Sequence, residues 1–243
     1  MKKTFLLSCL MLAAMPVMAA YTGHVYVDKN KNGVFDQSEK PLAGIKVSDG
    51  LNVVETAADG SFTLPGHERE RFIFITTPSG YKTFNRHYHK IEKKQSGYDF
   101  GLIPYSGRIR KDGSHRYIHI TDTEIFNTEN HADWVNNVHD YARNEQAAFI
   151  IHTGDICYEK GLKAHIKLMN TENMDCPVFY CIGNHDLVKG KYGEELFESI
   201  YGPVYYSFDA GNVHYVVTPM PGGDHAPGYT SDDVCRWLKN EIG

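Results

Sequence analysis

From Tyr21 to about Pro104 short apolar runs alternate with turn residues, and no stretch keeps a helical period. Short runs of this kind, bounded by Gly, Asn, Asp and Pro, read as strands. His24–Asp28, Ile45–Ser48, Leu51–Thr56, Ser61–Leu64, Phe72–Thr76 and Tyr98–Leu102 fit the pattern. Asp49-Gly50 predicts a tight hairpin between two of them, and Asp59-Gly60 marks another turn. Strands without helices predict a small β-sandwich of immunoglobulin-like type over residues 21–104. Residues 105–114, which contain the polar SGRIRKDGS, read as a linker, with Arg108, Arg110 and Lys111 as solvated connector residues.

After Arg116 the period changes. Trp134, Val135, Val138, Tyr141 and Ala142 keep helical spacing, as do Leu162, Ile166 and Met169, and further helices are expected near Glu194–Ile200 and Asp232–Glu241. Strands are expected at Tyr117–Ile120, Phe149–His152, Val178–Ile182, Tyr205–Phe208 and Val213–Val217. This alternation predicts an α/β layered domain over residues 115–243.

Residues 1–20 follow neither pattern. Lys2 and Lys3 precede an apolar stretch from Phe5 to Met18, and Val17-Met18-Ala19 is a small-x-small site, which together predict a secretory signal cleaved after Ala19 or Ala20. The stretch is too short for a membrane span. Leu6-Leu7-Ser8-Cys9 has the look of a lipoprotein box, but it leaves almost no apolar stretch before Cys9. The expected location is therefore periplasmic or extracellular. Losing both lysines takes the formal charge from −5 to −5 − 2 = −7, which gives no reason to expect nucleic-acid binding. Export permits disulfides, and Cys157, Cys176, Cys181 and Cys235 remain; the default expectation is buried small residues with at most one bridge.

The chemistry sits at the ends of three expected strands, in IHITDTE (118–124), IHTGDICY (151–158) and CIGNHD (181–186). Residues just past parallel strands lie at the carboxyl edge of the sheet, where open α/β folds place ligands. Asp122, Asp155 and Asn184 should converge there as hard oxygen ligands for divalent metal. His185 is the expected general acid and Asp186 its orienter. His119, His152 and His214 fall within strands and read as core residues; His225, in PGGDHAPG (221–228), is a further candidate to reach the cleft. The glycine motifs of nucleotide-binding folds and G-x-S-x-G do not occur.

These blocks resemble the calcineurin-like metallophosphoesterases, whose pattern is D-x-H, G-D-x-x, G-N-H-[DE], then a lone His and G-H-x-H. Gly154-Asp155 and Gly183-Asn184-His185-Asp186 match without change, whereas Glu124 stands where the family usually has His. The resemblance implies two divalent transition metals (Mn, Fe or Zn), with Asp155 as their bridge and Asp122 and Asn184 as further ligands. It also implies a catalytic His185, a phosphorylated small-molecule or polymer substrate, and a β-sandwich of the kind that precedes exported bacterial members. Glu124 either replaces the imidazole, favouring harder metals, or points to solvent. Tyr158, in GDICY, matches the G-D-x-x-Y of purple acid phosphatases, where Tyr binds iron, or else packs on the following helix. The family's last His blocks lie beyond Gly243, so on this reading the catalytic domain is C-terminally incomplete.

A second metal pattern lies in the first domain. DKNKNGVFDQSE (28–39) fits the calcium-loop template, with Asp28, Asn30, Asn32, Asp36 and Glu39 as side-chain ligands and Val34 through its carbonyl; an ordinary polar turn is the other reading. The reading as a whole is an exported metallophosphoesterase acting on phosphomono- or phosphodiesters. The alternative is a non-catalytic, calcium-stabilised surface or carbohydrate-binding protein with a degenerate phosphoesterase remnant.

Overall fold

A computed structural model describes residues 20–95, 97–106, 108–188 and 190–243. The expected signal segment lies outside the described residues except for Ala20, which opens the first strand.

Nine strands come first: β1 (Ala20–Val27), β2 (Lys40–Pro41), β3 (Lys46–Ser48), β4 (Val53–Glu55), β5 (Ser61–Pro65), β6 (Phe72–Ile75), β7 (Tyr81–Thr83), β8 (Tyr88–Lys90) and β9 (Phe100–Pro104). They form two sheets. One runs β2-β1-β9-β7 with β5 also on β1, and the other runs β4-β3-β6-β8. Val25, Leu64, Phe100 and Leu102 from the first sheet meet Val47, Ile73 and Ile75 from the second in one buried cluster. Because strand side chains alternate between faces, β5 (Ser-Phe-Thr-Leu-Pro) buries Phe62 and Leu64 and exposes Thr63. β6 (Phe-Ile-Phe-Ile) is buried on both faces. Its isoleucines enter that cluster, while Phe72 and Phe74 join a second one with Phe149, Phe179 and Trp237 from the α/β part. The strands missed in the sequence, β2, β7 and β8, are two or three residues long, too short to show a period.

The second part contains β10 (Tyr117–Ile120), α1 (His131–Asn144), β11 (Phe149–His152), α2 (Tyr158–Leu168), β12 (Val178–Tyr180), a 3₁₀ turn (Asn184–Asp186), α3 (Glu195–Tyr201), the β13–β14 hairpin (Tyr206–Ala210, Val213–Val217) and α4 (Ser231–Ile242). β10, β11 and β12 form a parallel three-stranded sheet in that order. Parallel strands alternating with helices give this part the α/β layering expected of it. α4 starts at a capping box: the Asp233 amide donates to Thr230 Oγ1 (3.2 Å) and the Thr230 amide to Asp233 Oδ2 (2.9 Å).

Ions and backbone bonds also join the two parts. Arg71 Nη2, in the turn before β6, donates to Glu194 (2.9 Å) and Glu198 (2.8 Å), both buried at the start of α3. The Asp209 amide of β13 donates to Thr77 O beyond β6 (2.8 Å). The connector is less solvated than its composition suggests: Arg108 is half-buried and donates to Ala147 O (3.0 Å). All four described cysteines are free.

Candidate active site

Parallel register brings the predicted residues to one edge. Ile120 stands beside His152, and His152 beside Tyr180, so the loops after β10, β11 and β12 emerge together. Backbone bonds hold them in contact. The Asp122 amide donates to Gly154 O (3.0 Å), the Glu124 amide to Asp155 O (3.0 Å), and the His185 amide to Asp155 Oδ1 (3.1 Å). The approach is close enough to require glycine. A Cβ on Gly154 would stand 2.3 Å from Gly183 N, and one on Gly183 would stand 2.1 Å from Asp155 Oδ1. The glycines of GD and GNHD thus let two loops touch.

Asp122 (φ 52°), Glu124 (φ 41°), Asp155 (φ 53°), Cys157 (φ 85°) and Tyr158 (φ 47°) all adopt left-handed backbone. Each such residue costs on the order of 1–3 kcal/mol and persists only where its surroundings over-determine it. Their concentration in two touching loops marks the place where this fold stores strain.

The donor set there fits a divalent cation. Among the described residues, no protein hydrogen bond reaches the Glu124 carboxylate, Asp155 Oδ2 or the Asn184 side chain, and Asp122 accepts only from Thr121. These are hard oxygen atoms with free lone pairs. The described His, Cys and acidic groups whose ligand atoms all fall within 4.8 Å of one another lie elsewhere, at Asp49, His67 and Glu70. In that group Asp49 already accepts from the Leu51 and Asn52 amides and from Asn52 Nδ2, and Glu70 from Tyr21 and the His67 amide.

His185 is partly exposed, and its Nδ1 lies 3.0 Å from Asp224 Oδ2. That hydrogen bond raises the His185 pKa above its ordinary value and lowers that of Asp224. Asp186 does not orient the ring as expected. The 3₁₀ turn directs its carboxylate inward, where it is fully buried and accepts from the Cys157 amide (2.9 Å) and the Gly183 amide (3.0 Å). Asp186 pins the two loops together; burial raises its pKa even against those bonds. The orienting carboxylate is Asp224, neighbour of the singled-out His225, and its amide donates to Asn184 O (3.1 Å). Sequence reasoning missed it because the contact spans 39 residues; the glycine-rich loop was the available signal.

Tyr158 opens α2, remains exposed rather than packed beneath it, and places its hydroxyl 3.5 Å from Asp224 Oδ2. Desolvation and Asp224 raise its pKa. Of the three strand histidines only His152 is buried: its Nε2 lies 3.0 Å from Thr123 Oγ1, between Asp122 and Glu124. His119 is exposed because β10 leaves one side open to solvent, and His214 because it lies in the exposed opening residues of β14. Burial pushes the Cys157 and Cys181 thiols up to about 11, which leaves them unreactive at neutral pH.

In the calcium-template loop, Asp28 is buried and accepts from the Asn32 and Gly33 amides. Asp36 Oδ2 accepts from both Asn30 Nδ2 (2.7 Å) and Asn32 Nδ2 (3.0 Å), and Glu39 accepts from the Lys29 and Asp36 amides. Val34 lies exposed at the loop's tip.

No helix among the described residues is long and apolar enough to cross a membrane. Comparison with curated proteins finds no match. Two family models do match: the N terminal of calcineurin-like phosphoesterase over residues 29–104, and calcineurin-like phosphoesterase over residues 115–236, the span that contains every residue of the cleft. Touching glycine loops, strained carboxylates at a parallel sheet edge and this match agree, and the chain belongs to the calcineurin-like phosphoesterase family.

Proposed function

We propose that the cleft holds two divalent transition metals, Mn, Fe or Zn, and hydrolyses phosphomono- or phosphodiesters. Asp155 would bridge the metals, with Asp122, Glu124 and Asn184 as further oxygen ligands and Tyr158 at the rim. The reading is supported by the meeting of the three loops at one sheet edge, where Asp155 Oδ2 and the side chains of Glu124 and Asn184 have no protein hydrogen-bond partner among the described residues. Bound divalent metal supplies positive charge for the phosphoryl oxygens and lowers the pKa of water. The chain's own residues do the rest. Asp186 fixes the spacing of the two glycine loops, and Asp224 holds Nδ1 of His185, which aims the ring and favours its charged form. His185 then gives its proton to the leaving alkoxide.

In the same reading the leader 1–20 directs export to the periplasm or beyond, residues 21–104 form an immunoglobulin-like sandwich, 105–114 connect, and 115–243 carry the cleft. The loop 28–39 takes Ca²⁺ once the Asn30 and Asn32 amides turn their oxygens inward. Asp155→Asn tests the assignment. Transition-metal content by mass spectrometry and nitrophenyl phosphate hydrolysis should both fall to near background. Unchanged metal stoichiometry would sink it.

A further inference from the structure

A cavity of about 640 Å³ lies between the two parts of the chain, and none of the cleft residues lines it. One wall is the β7–β8 connection. The other is built from the end of α2 with the segment that follows, β12 and α3. The volume falls within the few hundred to ~1,000 Å³ of small-molecule sites, and such sites favour domain seams.

The chemistry of the walls is uneven. Lys82 and Arg86 both line the cavity, and neither forms an ion pair among the described residues. Each instead lies over an aromatic ring: Arg86 at 5.4 Å from the Tyr88 centroid and Lys82 at 5.6 Å from that of Tyr105. Of the carboxylates in the lining, Asp99 is turned to His24 (3.3 Å), and Glu172 lies across from the cations on the segment after α2. His87 is the third basic residue of the wall. Its Nε2 is shielded from solvent and has no hydrogen-bond partner, and desolvation keeps the ring neutral. Phe84 and Tyr201 supply apolar surface beside these groups.

Two unpaired cations and aromatic surface in one cavity suit a particular ligand shape. We infer that this cavity is a second ligand site, for a small organic anion: one phosphate or carboxylate group, held by Lys82 and Arg86, on a ring-shaped body that rests against Phe84 and Tyr201. The site is independent of the phosphoesterase cleft. It is also connected to it, because Val178 of β12 lines the cavity and Asn184 follows six residues later, at most roughly 20 Å along the chain.

Calorimetric titration of the full, metal-stripped chain in EDTA tests this, since metal removal silences turnover in the cleft. Glucose 6-phosphate, glucuronate, inorganic phosphate and neutral glucose are the probes. At least one of the two sugar acids should bind saturably, tenfold or more tighter than phosphate or glucose, and the preference between them identifies the acid. Lys82→Ala with Arg86→Ala should weaken that binding at least tenfold, Arg86→Lys should weaken it less, and Asp155→Asn should leave it unchanged. A melting curve for each variant separates lost binding from lost fold. The inference is overturned if neither acid binds at millimolar concentration, if inorganic phosphate binds as tightly, if binding survives the double variant, or if it disappears with Asp155→Asn.

Discussion

The loop 28–39 and the cleft after β10–β12 both carry a metal pattern in sequence, and the better pattern belongs to the less available site. The loop fits its template at every position, but its carboxylates are occupied by the loop's own N–H groups and asparagine amides. The cleft departs from its pattern at Glu124, yet Asp155 Oδ2 and the side chains of Glu124 and Asn184 have no protein hydrogen-bond partner among the described residues. A carboxylate offers about four lone pairs, so the loop retains some capacity, but any ion must first turn two amides. A motif specifies which atoms are present. Hydrogen-bond accounting shows which of them are free.

The largest effect that can break this contrast is at the cleft's acid. His185→Ala should leave metal content near wild type and cut kcat by about two to four decades, the range expected for lost proton transfer. The loss should be greater for alkyl phosphates than for nitrophenyl esters, whose leaving groups need less protonation. An equal loss across leaving groups would remove His185 from that role. Asp224→Asn should cost less, about tenfold to a hundredfold in kcat with KM little changed, as for other partners that orient a working group. The same reduction in a His185→Ala background would show that Asp224 acts by itself rather than through the ring.

Acid should separate the two regions. His152, at the base of the cleft, and His165 behind it are fully buried, and desolvation lowers their pKa values to about 4 and about 2 from 6.5. Below 6.5 the unfolded chain binds protons that the folded chain refuses. The stability given by neutral burial is therefore present above pH 6.5 and is lost as pH falls from there toward 4, by on the order of 1–3 kcal/mol for His152 alone. The loop 28–39 contains no histidine. Hydrogen-exchange protection factors, taken against the intrinsic rate at each pH, should thus fall around β11 and α2 between pH 6.5 and 5 while those of the loop amides change little. Parallel loss in both regions would contradict this.

The smallest effect expected is at the loop. Millimolar Ca²⁺ at about a hundred times Kd would stabilise the native chain by about 2.7 kcal/mol. That should raise Tm by a few degrees, and Glu39→Gln should blunt the rise. A melting curve indifferent to Ca²⁺ and to EDTA would return the loop to an ordinary turn.

Much of the fold was legible locally. β10, β11 and β14 fall on the residues expected, and among the described residues α1 and α2 lie where apolar spacing placed them and α3 and α4 near the stretches expected, because period is a property of neighbouring residues. That the loops carrying Asp122, Asp155 and Asn184 emerge together was legible too, since parallel strands end at one edge. What sequence alone determined was therefore the elements and the strand ends that carry chemistry. Tertiary structure decided which carboxylate serves which task. Asp186 turned inward to two amides and Asp224 came from another loop to His185, because direction in a tight turn and contact across 39 residues depend on packing. Tertiary structure likewise decided which histidines are buried and where the seam leaves Lys82, Arg86 and His87 around open space. Burial and vacancy belong to the packing of distant segments, and local pattern does not encode them.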